Sequence, residues 1–197
     1  MFVQIIQGPV QDADLLQRQL DRWRDELKPG ATGYLGSTGG VTPDGQAISV
    51  VRFESREAAE ASSRRPEQSS WFNEAVKAYD GEPTFHDCDE VDTAFGGGSN
   101  DAGFVQIIQG RVKDQAAVRA LATRMEGELG KSRSDILGIT IAWHGDGGGF
   151  TQAVYFKSEA EARSQETATQ DDELGQQWME QMSEPPVFFD LTEPDLD

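Results

Sequence analysis

Cysteine is nearly absent from this sequence: Cys88 stands alone among 197 residues. No intramolecular disulfide and no thiolate metal cluster is therefore expected. Histidine is scarce too, with only His86 and His144. Few side chains are left that titrate near neutrality, and no His/Cys set is spaced as metal ligands. Basic residues are outnumbered, 17 Lys and Arg against 35 Asp and Glu, for a formal charge of −18. A surface so negative repels phosphate backbones and anionic bilayers, which argues against nucleic-acid and membrane partners. Long apolar runs are also missing, and none approaches the roughly 20 residues of a membrane helix. The chain opens directly on the strand-like run Phe2-Val3-Gln4-Ile5-Ile6, without a basic segment or a long apolar stretch. No signal peptide is expected, and a reducing cytoplasm is the expected setting.

The sequence does contain a copy of itself. Residues 2–10, FVQIIQGPV, return as FVQIIQGRV at 104–112, an offset of 102 residues. Further on, VVRFES at 50–55 aligns with AVYFKS at 153–158, and EPTFHD at 82–87 with PPVFFD at 185–190. This period is too long for a solenoid and suits a whole domain. The expected organisation is a first domain over residues 1–91, a flexible Gly-rich linker over 92–103 (DTAFGGGSNDAG), and a second domain over 104–197.

Each copy reads β-α-β-β-α-β. Phe2–Gly8 is an apolar strand closed by Gly8-Pro9. Asp12 stands at an N-cap, and Leu16, Leu20, Trp23 and Leu27 form one helical stripe that Pro29-Gly30 should stop. In the second copy Asp114 takes the cap position, and Gly130 follows the stripe's last residue, Leu129. Strands 33–41 and 47–54 flank the turn Thr42-Pro43-Asp44-Gly45; their counterparts are 136–143 and 150–157. Ser55 and the Ser158/Glu161 capping box open the next helices, and Pro66 restarts the first of them. Strands 84–88 and 187–191 close the copies. This is the split βαβ, ferredoxin-like pattern, an α+β fold with both helices on one sheet face. The other face is apolar and needs a cover, which the other copy can supply. The expectation is an intrachain pseudo-dimer, two tandem βαββαβ domains forming one α+β barrel, with further homo-oligomers allowed.

Four stretches together carry a family resemblance: the opening FVQIIQG, the long first helix, the hairpin ending in VVRFES, and PEQSSWFNEAVKAY at 66–79. They resemble the antibiotic biosynthesis monooxygenase family of the dimeric α+β barrel superfamily, nearly the whole chain twice over. The resemblance implies a cofactor-independent monooxygenase acting on a small aromatic or quinol-like compound. Heme-degrading members use a first-strand amide, a Trp and an axial His on the second long helix. Gln4 falls near the amide position and Trp71 near the Trp. No His lies between Trp71 and Asp80, nor in the matching helix of the second copy. No heme and no other cofactor is expected.

Candidate site residues come mainly from the first copy. His86, whose counterpart is Phe189, is the candidate general base; its alternative is a hydrogen-bonded core histidine. Gln4 and Gln106 are either pocket amides that orient a carbonyl or hydroxyl, or a pair stitching the two sheets. Gln7 and Gln109 sit at strand ends, where water reaches them. Trp71 and Phe72, with Trp23 and Tyr79, either line an aromatic substrate pocket or form plain core. Arg52, matched by Tyr155, completes the substrate-binding set. Cys88 is flanked by Asp87 and Asp89, whose charge disfavours a thiolate. His144 and Asp146 are too few for a metal, and GDGGG lacks the Lys-Ser/Thr ending of a phosphate loop. With Phe189, Leu174 and Tyr155 replacing His86, Trp71 and Arg52, the second copy is expected to be scaffold. Two functions fit: oxidation of a small apolar or aromatic molecule, or a non-catalytic ligand-binding or structural barrel.

Overall fold

The computed structural model describes residues 1–145, 147–168 and 173–197. It divides into two compact units, residues 1–90 with 195–197, and residues 91–194.

The first unit opens with β1 (Phe2–Pro9) and α1 (Ala13–Arg22), with Asp12 accepting from the Leu15 amide as N-cap. The helix does not stop cleanly. It widens into a π-turn over Trp23–Leu27, with the Lys28 N–H bonding five residues back to Trp23, before a 3₁₀ turn at Lys28–Gly30. The hairpin β2 (Tyr34–Val41) and β3 (Gln46–Phe53) follows. Its turn closes through Gly45 N–H to Thr42 O at 2.9 Å, and Gly45 has φ +82°, which glycine accepts at no steric cost. Next come α2 (Arg56–Ser63), α3 (Pro66–Ala75) and β4 (Thr84–Cys88). Ser55 caps α2, and Pro66 starts α3 where its missing N–H is harmless.

The second unit repeats the plan. It begins with β5 (Glu90–Ala94), then β6 (Phe104–Arg111), α4 (Gln115–Ser132), β7 (Ile136–Trp143) and β8 (Gly149–Phe156). It continues with α5 (Glu159–Ala168), α6 (Glu173–Glu180) and β9 (Val187–Leu191). Asp114 caps α4, which runs straight through Gly130. A final short strand, β10 (Asp195–Leu196), belongs to the first unit. The sheets run β10-β2-β3-β1-β4 and β5-β7-β8-β6-β9. All described strand pairs are antiparallel.

The outermost strand of each sheet corrects the linker expectation. Residues 90–94 are ordered as β5 on the edge of the second sheet, and residues 195–196 as β10 on the edge of the first. The segment after each copy thus completes the sheet of the other. Each edge strand lies beside a one-residue bulge, between Tyr34 and Gly36 in β2 and between Ile136 and Gly138 in β7. A Cβ on Gly36 would sit 2.2 Å from Asp197 O, and one on Gly138 1.6 Å from Gly97 O. Only glycine admits so close a backbone approach.

Register decides which residues meet the helices. Gln4 pairs with Val51 and Asp87, whereas Val3 pairs with Arg52 and Cys88, and Ile5 with Val50 and His86. Side chains alternate along a strand, so the first group faces one side of the sheet and the second group the other. On the helix side, the second unit packs one continuous cluster that includes Phe104, Ile141, Trp143 and Phe150. The first unit breaks the same layer into three smaller clusters, around Leu16 and Tyr79, around Phe2 and Phe53, and around Leu27 and Trp71.

Candidate functional site

The gap among those three clusters is a cavity of about 110 Å³ between sheet and helices. Gln4, Ile6 and Val51 form its floor, and Trp23, Trp71 and Phe72 its roof. The roof follows from the helical spacings in the sequence, and the π-turn begins at Trp23 itself. Each indole is fixed by its own N–H: Trp23 donates to Gln68 Oε1 at 2.9 Å and Trp71 to Gln19 O at 2.7 Å. Trp23 meets Tyr34 edge-on at 4.9 Å between ring centres. A wider opening of about 350 Å³ shares Gln4, Ile6, Ser63, Gln68, Trp71 and Phe72 with the cavity and adds Phe85 at its rim.

The polar lining is neutral. Ser37, Ser49, Ser62, Ser63, Gln4 and Gln68 supply hydroxyls and amides. Gln4 donates from Nε2 to Asp87 Oδ1 at 2.8 Å. That bond fixes the flip of the amide and leaves Oε1 as the acceptor. Arg56 holds the other Asp87 oxygen at 3.3 Å and lies over the Phe2 ring. The two lining phenols stay protonated. Burial pushes Tyr79 up to about 12. Burial likewise drives Tyr34 well above the ordinary phenol value, with the Asp197 carboxylate adding to the effect.

The second unit holds a cavity in the same place, about 190 Å³, which the scaffold expectation did not include. Gln106, Ile108, Val154 and Phe156 line it at the positions of Gln4, Ile6, Val51 and Phe53. Gln106 donates to Asp190 Oδ1 at 3.0 Å, and Arg163 holds the other oxygen and lies over Phe104. Each amide is therefore bound within its own sheet, which removes the stitching alternative.

The structure brings together Gln4, Trp71 and Phe72, with Trp23 and Tyr79 from the same helical stripes. It does not bring Arg52 or His86 to them. Arg52 faces the opposite side of the sheet, donates to Asp197 O at 3.2 Å, and has a buried Nε without a partner among the described residues. His86 is half-buried on that same opposite side, paired across from Ile5. Neither histidine lines either cavity. His144 bonds Thr151 Oγ1 at 2.9 Å at the hairpin, and Asp146 lies outside the described residues. Gly149 leads into β8 rather than a helix, so GDGGG has no phosphate-binding helix N-terminus after it. Sequence reasoning missed Tyr34, Gln68 and Ser49. Ser49 was accessible in principle, since it stands opposite Ile6 and its counterpart Gln152 stands opposite Ile108. Among the described residues no cluster of three His, Cys, Asp or Glu is placed to hold a metal ion, and no helix is long and apolar enough to cross a membrane.

No protein-family model and no curated relative matches the sequence. Solved structures do match its fold. A candidate monooxygenase from Fusobacterium nucleatum aligns over 100% of this chain and 93% of its own, with TM-score 0.78 and 11% identity. A second candidate monooxygenase, from Lactobacillus acidophilus, aligns over 100% and 98%, with TM-score 0.70 and 12% identity. An anthrone oxidase-like protein aligns over 99% and 93%, with TM-score 0.59 and 11% identity. The chain therefore has the α+β, ferredoxin-like fold of monooxygenase-like proteins, in two copies.

Proposed function

We propose that the first unit binds a small, neutral, flat aromatic compound and promotes its oxidation by dioxygen without a bound cofactor. The observation that carries this reading is the cavity itself: aromatic walls locked by their own hydrogen bonds around a neutral polar floor. Preorganised walls of this kind bind a ring without first ordering it. Gln4 Oε1, with its amide flip set by Asp87, is an acceptor for a substrate hydroxyl. The anthrone oxidase-like neighbour supports a cyclic ketone or quinol as the substrate class. The cavity of about 110 Å³ is too small for a whole ring system, so such a substrate would extend into the adjoining opening of about 350 Å³.

In this chemistry the substrate, as its enolate or phenolate, reduces dioxygen. A ring CH₂ becomes C=O, one oxygen atom is retained, and the other leaves as water with the two hydrogens. The protein's part is to orient the ring and keep bulk water away. His86 faces the opposite side of the sheet, so water at the opening takes the proton, and the substrate must be acidic on its own. A non-catalytic binder is the second reading, favoured by a lining without a side chain that is ionised at neutral pH.

Anthrone added to the protein should quench tryptophan fluorescence saturably and consume dioxygen faster than in buffer. Gln4→Leu should weaken both, and His86→Ala should leave binding unchanged. Binding without added dioxygen uptake would favour the non-catalytic reading. No binding of anthrone or of related quinols would overturn both.

A further inference from the structure

The two cavities occupy matching places but are lined for different ligands. Arg133 and Asp135 belong to the second unit alone, since Ala31 and Gly33 stand at the matching positions of the first. Arg133 grips Asp135 through Nε at 2.9 Å and Nη2 at 2.8 Å. Only 9% of the Arg133 side chain and 5% of the Asp135 side chain is exposed. A guanidinium has five N–H groups, and this grip occupies two of its three nitrogens. Nη1 has no partner among the described residues, and Arg133 lines the cavity. A guanidinium N–H that opens on a mostly apolar cavity bonds an oxygen acceptor more strongly than it contacts hydrocarbon, so the site favours an occupant with an oxygen acceptor.

Charge and size narrow the class. Asp135 already neutralises the guanidinium, so the spare N–H groups suit a carbonyl or a single phenolate better than a dianion. The walls near Arg133 are Ile139, Ile141, Val154, Phe156 and Trp178. A cavity of about 150 Å³ is enough for one benzene ring, and pockets for drug-sized molecules start near about 300 Å³. At about 190 Å³ this one fits one ring, or two at its opening. We propose that the second unit is a separate binding site for a one- or two-ring phenolate or aryl ketone whose oxygen accepts from Arg133. The chain then carries two ligand sites of different specificity, and the second stands whether or not the first unit oxidises anything.

The tryptophans report the sites separately: Trp178 lines the second cavity, and Trp23 and Trp71 line the first. The full chain, with its tryptophans ¹⁵N-labelled, would be titrated with 4-nitrophenolate and, as a control with no oxygen acceptor, with toluene. The Trp178 indole N–H should shift saturably with 4-nitrophenolate, and toluene should bind at least tenfold more weakly. The double variant Arg133→Met/Asp135→Asn removes charge and counter-charge together, so neither is left buried and unpaired. It should weaken 4-nitrophenolate at Trp178 at least tenfold and leave any shift at Trp71 unchanged. Should that variant fail to fold, Ala122→Phe, which fills the cavity from α4, should abolish the Trp178 shift. A Trp178 signal that never moves would overturn the proposal. So would equal binding of the two probes, or binding that survives either variant.

Discussion

The two units share a lead strand and a floor yet differ in how their helix layers are packed. The second unit has one continuous apolar cluster under a helix of 18 residues, α4. The first has three clusters, and its long helix breaks into a π-turn at Trp23. What the units keep in common is the frame. In both, an amide on the first strand donates to an aspartate on the last, an arginine from the second helical segment holds that aspartate, and the same arginine covers a phenylalanine. The bulge glycine and the edge strand beside it also recur. What changed is the lining: serines and two tryptophans in one cavity, Arg133, several isoleucines and one tryptophan in the other. The lesson is that a frame held by backbone approach and one polar triad leaves the cavity free to diverge.

The largest expected difference is at the bulges. Gly138→Ala places a methyl 1.6 Å from the Gly97 carbonyl, and that segment is tied into the chain on both sides. Overpacking against backbone costs about 1–3 kcal/mol, and the upper end is expected here because nothing nearby can yield. Gly36→Ala meets Asp197 O at 2.2 Å and a φ of +130°. Its neighbour is a short edge segment that can lift away, so about 1–2 kcal/mol is expected, within the same range. Urea melts of the two variants check the order. Equal losses would mean that the two edge strands are held alike.

Smaller effects are expected from the amides. Gln106 is only 7% exposed, and Gln106→Ala leaves the Asp190 carboxylate short of a donor in a part-buried setting. A loss of about 1–3 kcal/mol follows for a buried polar group left unmade. Gln4 is half-buried, and Asp87 keeps Arg56 and access to water, so Gln4→Ala should cost less than about 1 kcal/mol. Thermal melts of the single variants measure both. A larger loss at Gln4 would place the first unit's stability, rather than its ligand, on that amide.

The fold was legible because repetition and periodicity are local signals. The hairpins, the caps at Asp12, Ser55 and Asp114, and strands 84–88 and 187–191 all stand where their residues place them. Gly130 does not end α4, because one glycine inside a long helix costs only about 1 kcal/mol and packing overrides it. The ordered start of the linker was hidden for another reason: strand pairing between residues 90–94 and β7 is non-local and leaves no period. At the cavity, helical spacing groups Trp71 and Phe72, whereas the strand register that sets Gln4 apart from His86 and Arg52 is non-local and leaves no period in the sequence. The amide–aspartate–arginine triad escaped alignment, since Arg56 aligns with Glu159 and Arg163 with Glu60, one helical turn away. Geometry preserved what the sequence positions did not.

The finest contrast lies in the edge strands, and pH can expose it. In the first unit Asp197 accepts from Lys28 and, at 3.0 Å, from the Tyr34 hydroxyl, while its own backbone oxygen takes the Ser37 amide at 2.9 Å. Burial pushes the Asp197 carboxyl up, but the hydrogen bonds from Lys28 and Tyr34 outweigh it and hold the group below its ordinary 3.8. A carboxyl depressed in the folded state stabilises above its unfolded value, and that contribution is lost as pH falls through the folded value. The grip of β10 on β2 should therefore be complete above about pH 4 and fade below it. At the matching contact in the second unit, beside Gly138, stands Gly97, which carries no charge, and Asp92 of β5 bonds the Trp143 and Arg119 side chains rather than a β7 amide. Amide hydrogen exchange reads the difference directly. On acidification, after correction for intrinsic rates, Ser37 should lose about fivefold in protection, the worth of one hydrogen bond of about 1 kcal/mol. The amides of β7 should not follow. Asp197→Asn should lower protection at Ser37 near neutrality and flatten its acid response. If Ser37 and the β7 amides lose protection together in the unmodified chain, acid acts on the whole structure, and the two edge strands do not differ in the way their residues indicate.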